Sequence, residues 1–157
     1  MSKYDWLLFA HVTGAFFLLS GAAAAAILNV AALARERPSE VALLLGLTRF
    51  AVVSVVAGSL LTLVFGLWLV GDVGYGYGDG WIVGSILLWV IASAAGEAGG
   101  RRDVRTRKLA ETLAAVGDRP SAELSARLRD PLSLTLSYGS GLAMLAVLAL
   151  MVWKPGA

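Results

Sequence analysis

The chain holds one histidine, His11, and no cysteine. All imidazole chemistry therefore rests on a single side chain, and disulfides, thiolate metal sites, iron-sulfur clusters and cysteine nucleophiles are excluded. His11 follows Trp6 by five residues and, at 100° per residue, shares a helical face with Gly14, Ala15, Leu18, Ala22 and Ala25. Small neighbours leave room beside the ring. An ionisable group in an apolar helix is a functional candidate by default, although a neutral imidazole also serves as an interhelical hydrogen-bonding group. As a ligand it has soft partners late in the chain, Met151 at a similar depth and Met144 deeper. Histidine with methionine suits haem iron or copper, while methionine alone also fills bundle cores. The expected cofactor site is His11, as the metal ligand, with Met144 and Met151.

A second constellation is polar. Asn29 lies 18 residues, or five turns, beyond His11 on the same face, about 27 Å away. Arg49, Glu97 and Tyr138 fall at a comparable depth, with Ser133, Thr135, Ser137 and Ser140 beside Tyr138. Such a group can form a cavity for a proton, an ion or an anionic headgroup; the simpler alternative is an interfacial Arg49–Glu97 pair with the arginine snorkelling to phosphate. Gly71–Gly80 contains five glycines but neither the lysine nor the preceding strand of a phosphate loop. Its Asp72 and Asp79 are too few for a calcium cage. No nucleophile-base pair or paired carboxylates occur within any apolar run, so hydrolytic chemistry has no support.

The elements that must carry these residues follow from composition. Of 157 residues, 58% are hydrophobic and 15% charged, against about 25% charged in a soluble domain, and the mean hydropathy is +0.76. A soluble enzyme is excluded in favour of an integral membrane protein. Uncharged runs cover about 6–34, 50–70, 81–100 and 132–153, the third reaching 100 only past Glu97. A hydrocarbon core of about 30 Å needs about 20 helical residues, so each run crosses once. The expected fold is all-α: a transmembrane four-helix up-and-down bundle in a single domain, with a basic insert at 101–131. In that insert Leu109, Leu113 and Val116 keep helical spacing, Gly117–Pro120 breaks it, and Ser121 can cap a short helix presenting Leu124 and Leu128. A helical hairpin on the membrane surface is expected there.

Eleven of the thirteen basic residues lie between runs one and two or between runs three and four. The positive-inside rule puts those segments in the cytoplasm and both termini outside. Trp6, Tyr75, Tyr77, Trp81 and Trp153 fall at the outer boundary, where amphipathic rings settle. Eight basic residues in 101–131 imply attraction to anionic lipid; no motif supports a nucleic-acid partner. Ser54, Gly58, Thr62 and Gly66 form a small-residue stripe on the second span, and Ala92, Gly96 and Gly100 one on the third. Such stripes let helix backbones meet closely.

Trp6-Leu-Leu-Phe-Ala-His11-Val-Thr-Gly14, Gly66-Leu-Trp-Leu-Val70, Tyr77-Gly-Asp-Gly-Trp81-Ile and Trp153-Lys-Pro-Gly156 together resemble a bacterial domain-of-unknown-function family of four-span integral membrane proteins, over nearly the whole chain. That resemblance implies the bacterial inner membrane and brings no assigned activity. More distantly, the His-x-x-Gly start is similar to copper-resistance protein D and to the small membrane protoporphyrinogen oxidases, whose first-helix histidine is associated with haem. Only His11 and Gly14 carry over, and bis-histidine ligation would need two protomers, a homo-oligomer, sharing one cofactor. Three functions stand: a haem- or copper-binding redox or binding module using His11, a small transporter or lipid-interacting protein built on the polar constellation, and a ligand-free membrane scaffold. No inverted repeat or helix-breaking Gly/Pro pair favours transport.

Overall fold

A computed structural model describes residues 2–156. Five helices follow in order: α1 Lys3–Leu33, α2 Pro38–Val73, α3 Gly80–Val116, α4 Ala122–Leu128 and α5 Pro131–Trp153. Each start has a local cause. Ser2 accepts from the Asp5 N–H while the Asp5 carboxylate accepts from the Ser2 N–H, a reciprocal capping box for α1. Pro38 and Pro131 occupy first-turn positions of α2 and α5, where a missing N–H costs nothing. Asp130 caps α5 by accepting from the Ser133 N–H at 3.0 Å. At the other end of α2, Gly74 adopts φ 83, a left-handed closure that glycine takes without a Cβ clash.

Four helical segments are long and apolar enough to cross a membrane, and the chain is a four-helix membrane bundle. Large side chains such as Phe16 and Ile27, each 68% exposed, lie on the outside of the bundle, as lipid contact requires. The helices pack in two antiparallel pairs. α1 packs along α2 through the expected stripe: a Cβ on Gly14 would fall 2.6 Å from the Thr62 N, and one on Gly58 would fall 2.6 Å from the Gly14 carbonyl O. Ser54 Oγ donates to the Phe17 carbonyl at 2.9 Å along the same seam. α3 packs along α5 on the face of buried Ala92 and Gly99 and half-buried Gly96, the two glycines facing Ser137 and Ser140 respectively. The stripe on α3 thus runs through Gly99 rather than Gly100, beside which a Cβ would meet nothing within 4 Å. The two pairs join along α2 and α3, where Trp89 Nε1 donates to Ser59 Oγ at 2.9 Å and Val70, Trp81 and Ile82 bury together. α1 and α5 scarcely meet.

Both termini lie at one end. Lys3 pairs with Asp72 at the close of α2 and its ammonium stands 5.7 Å from the Trp68 ring centroid; Lys154 at the close of α5 reaches Tyr75. At the opposite, basic end the expected helical hairpin forms, with its first arm continuous with the third span. α3 does not stop near 100 but runs unbroken to Val116, so the first arm of the hairpin is the third span continued, and α2 likewise begins twelve residues before Phe50. At 37 residues α3 is about 55 Å long, far beyond a bilayer core. The surplus buries an apolar core of its own, comprising Ala32, Val41, Leu45, Ala110 and Leu124. Helix α4 closes that core with Leu124, Ser121 capping it as expected. Asp118, at φ 52 in the turn after α3, accepts from the Ser39 N–H and hydroxyl, each at 2.7 Å, and so caps α2 from another element. Val116, by contrast, is 83% exposed and takes no part.

Candidate functional site

The gap between the two pairs is a cavity of about 350 Å³ in the half of the bundle nearer the termini. All four spans contribute. From α1 come Leu8, His11, Ala15 and Leu18; from α2 Thr62, Gly66 and Val70; from α3 Trp81, Ser85 and Trp89; and from α5 Met144, Val147, Met151 and the terminal Lys154. The lining is mainly apolar with few polar groups, the ordinary make-up of a small-molecule pocket, and the volume falls in the usual range of about 300–1,000 Å³.

His11 owes its placement to Gly66. A Cβ there would lie 2.8 Å from His11 Cε1 and 2.9 Å from Nδ1, so only glycine admits the ring edge against the α2 backbone. His11 Nδ1 lies 2.8 Å from the Thr62 carbonyl O. A carbonyl only accepts, so Nδ1 is the donor, and in a neutral ring the proton lies there. Nε2 then bears the lone pair. It stands 4.0 Å from that Cβ position, on the ring side away from α2, and makes no hydrogen bond among the described residues. A backbone-anchored Nδ1 with a free Nε2 is the arrangement that orients histidine as a metal ligand.

Other polar groups on the lining are unspent. The Thr62 hydroxyl and the Trp81 indole N–H are buried without a partner among the described residues, which leaves a desolvation cost of about 1–3 kcal/mol each. Ser85 Oγ is committed to the Trp81 carbonyl at 2.7 Å. Sequence reasoning placed Thr62 in a packing stripe and Trp81 in an interfacial belt, and it left Lys154 without a role. The signal available for α3 was the four-residue spacing of Trp81, Ser85 and Trp89, which puts two indoles and a hydroxyl on one face.

The expected cofactor residues His11, Met144 and Met151 therefore line one cavity. The polar constellation does not assemble. Glu97 pairs with Arg101 one turn along α3, an exposed contact that local spacing makes cheaper than reaching α2. Arg49 lies over the neighbouring Phe50 ring, 4.7 Å from its centroid, and forms no ion pair among the described residues. Asn29 instead donates to Asp103 at 3.2 Å. Burial pushes the Asp103 carboxyl above its ordinary range, and the Asn29 bond pulls partly against that. Tyr138 is 39% exposed and apart from these. Asp72 is taken by Lys3, and among the described residues no three His, Asp or Glu side chains gather where a metal could sit.

Comparison with curated proteins and with solved structures gives no match, so the distant likeness to copper-resistance protein D and the protoporphyrinogen oxidases gains no support there. A family model described as "Predicted integral membrane protein (DUF2269)" matches residues 5–155, in agreement with four apolar helices that extend over nearly the same range. The chain belongs to that family of integral membrane proteins.

Proposed function

We propose that the protein is a membrane haem-binding module in which His11 Nε2 and the thioether of Met144 or Met151 would hold the iron. What carries the reading is the His11 tautomer: Nδ1–H is spent on the Thr62 carbonyl, so a lone pair is free beside a cavity that also holds both α5 methionines. Histidine and methionine are together a recognised axial pair for haem iron. The same donors suit copper, but about 350 Å³ of apolar space far exceeds a single ion's needs and favours a flat organic ligand. The sparse contact between α1 and α5 gives such a plate room at its edge. Iron would supply electron transfer; the chain would supply the ligand geometry and a dry, low-dielectric surround.

The test is spectroscopic. Protein expressed with haem precursor supplied is expected to show a Soret band and about one haem per chain, and His11→Ala to lose it while keeping helical content. Equal haem in both proteins, or none in the wild type, would refute the reading, and stoichiometric copper in its place would transfer the site to the metal alone. Within the same proposal, both termini face outward from a bacterial inner membrane and the basic end contacts anionic lipid, supported by eleven of thirteen basic residues at that end.

A further inference from the structure

At the terminal end the cavity closes on one cation. Lys154 sits in the left-handed region at φ 41, immediately after α5. This turn brings its ammonium to 5.0 Å from the Tyr75 ring centroid, 5.7 Å from that of Trp81 and 3.5 Å from the Tyr75 hydroxyl. Lys3, at the same end, is satisfied by Asp72, but Lys154 forms no ion pair among the described residues. Lys154 and Trp81 both line the cavity, and Trp81, only 8% exposed, keeps its indole N–H without a partner among the described residues. One cation and one buried indole N–H therefore stand at the terminal end of a mainly apolar space. α3 also begins at this level, adding the positive end of its dipole.

We infer that this end is a carboxylate site, in which Lys154 and the Trp81 N–H receive the acidic edge of an amphiphilic ligand whose apolar body lies deeper, towards His11. Aromatic faces hold the ammonium in place without neutralising it. An anion thus meets a cation already positioned, and charge-assisted hydrogen bonds of that kind are the stronger class. The inference rests on the porphyrin reading above and deepens it: the two propionates of a haem-type macrocycle supply the acid, so the site selects a dicarboxylate porphyrin over its neutral ester.

Iron-free protoporphyrin IX separates this inference from iron ligation. Fluorescence titration of the purified full chain should show the diacid binding at least about tenfold tighter than the dimethyl ester. Lys154→Gln should bring the diacid down to the ester's affinity and leave the ester unchanged, while Lys154→Arg should retain the preference. His11→Ala should leave this preference among the iron-free porphyrins intact and lose only the haem held through its iron. If Lys154→Gln weakens both porphyrins equally or neither, the carboxylate site is overturned, although a His11-dependent Soret band would still uphold haem binding. A Lys154-dependent preference with a Soret band indifferent to His11 would do the reverse. A wild type that binds neither porphyrin would overturn both.

Discussion

Gly58→Ala should loosen the seam that positions His11. The added Cβ would lie 2.6 Å from the Gly14 carbonyl O and 2.9 Å from the Leu18 Cα. Both are backbone atoms that no rotamer change can move. Restoring ordinary contact at about 3.4 Å requires α1 to retreat from α2 by more than about 0.8 Å, since the Leu18 backbone N lies closer still. Overpacking typically costs about 1–3 kcal/mol, and here the upper part of that range is expected because a whole helix must shift. The same shift would stretch the 2.8 Å contact between His11 Nδ1 and the Thr62 carbonyl O to more than about 3.6 Å, which is no longer a hydrogen bond. Thermal unfolding in detergent should therefore fall by several degrees, and haem content should fall with it. Gly46→Ala is the matched control: α2 is continuous there, a Cβ meets nothing within 4 Å, and the change should be neutral or stabilise by up to about 1 kcal/mol. Equal melting temperatures for the two variants would refute the close approach of α1 and α2.

Orientation is checked by single cysteines in a chain that has none: one at Asp79 should react with an impermeant reagent from outside the cell and one at Ser121 should not, while the opposite pattern would invert the topology. A third expectation concerns pH. The Ser39 hydroxyl and N–H hold the Asp118 carboxyl below its ordinary value of 3.8, with Arg37 adding to the effect. A carboxyl depressed in the folded state contributes stability that is present above its unfolded pKa and is lost as pH falls through the folded one. Melting curves taken downward from pH 6 should show that loss beginning near pH 4, and Asp118→Asn should flatten it; an unchanged slope would mean that the Ser39 contacts are not made.

The spans were legible because apolar runs and charged breaks report directly on a solvent that cannot hydrogen-bond. His11, Met144 and Met151 were legible as a group because depth in a bilayer can be counted from the interfacial tryptophans. Pairing between helices was not. Arg49 and Glu97 share a depth, yet depth leaves azimuth free, and Arg101 at i+4 gave Glu97 a nearer partner. The hairpin at 101–131 forms with the expected break and cap, but the continuity of its first arm with the third span was not legible: the charges that end a span do not end a helix, since backbone hydrogen bonds continue regardless of whether lipid or water surrounds them. Lys154 carried no periodic signal, because its position depends on one left-handed residue at a chain end.

The pairing of the helices also sets an order in time. α1 and α2 are neighbours in sequence, and α3 and α5 are separated only by the short segment around α4, so each pair can form from local contacts soon after its helices are inserted. The cavity belongs to neither pair. Its walls come from both, so it exists only once the two have docked along Ser59 and Trp89. A nascent chain reaching only Asp130 would own the histidine and its anchoring carbonyl but neither the methionine wall nor Lys154, and loading of any ligand must wait for the last helix.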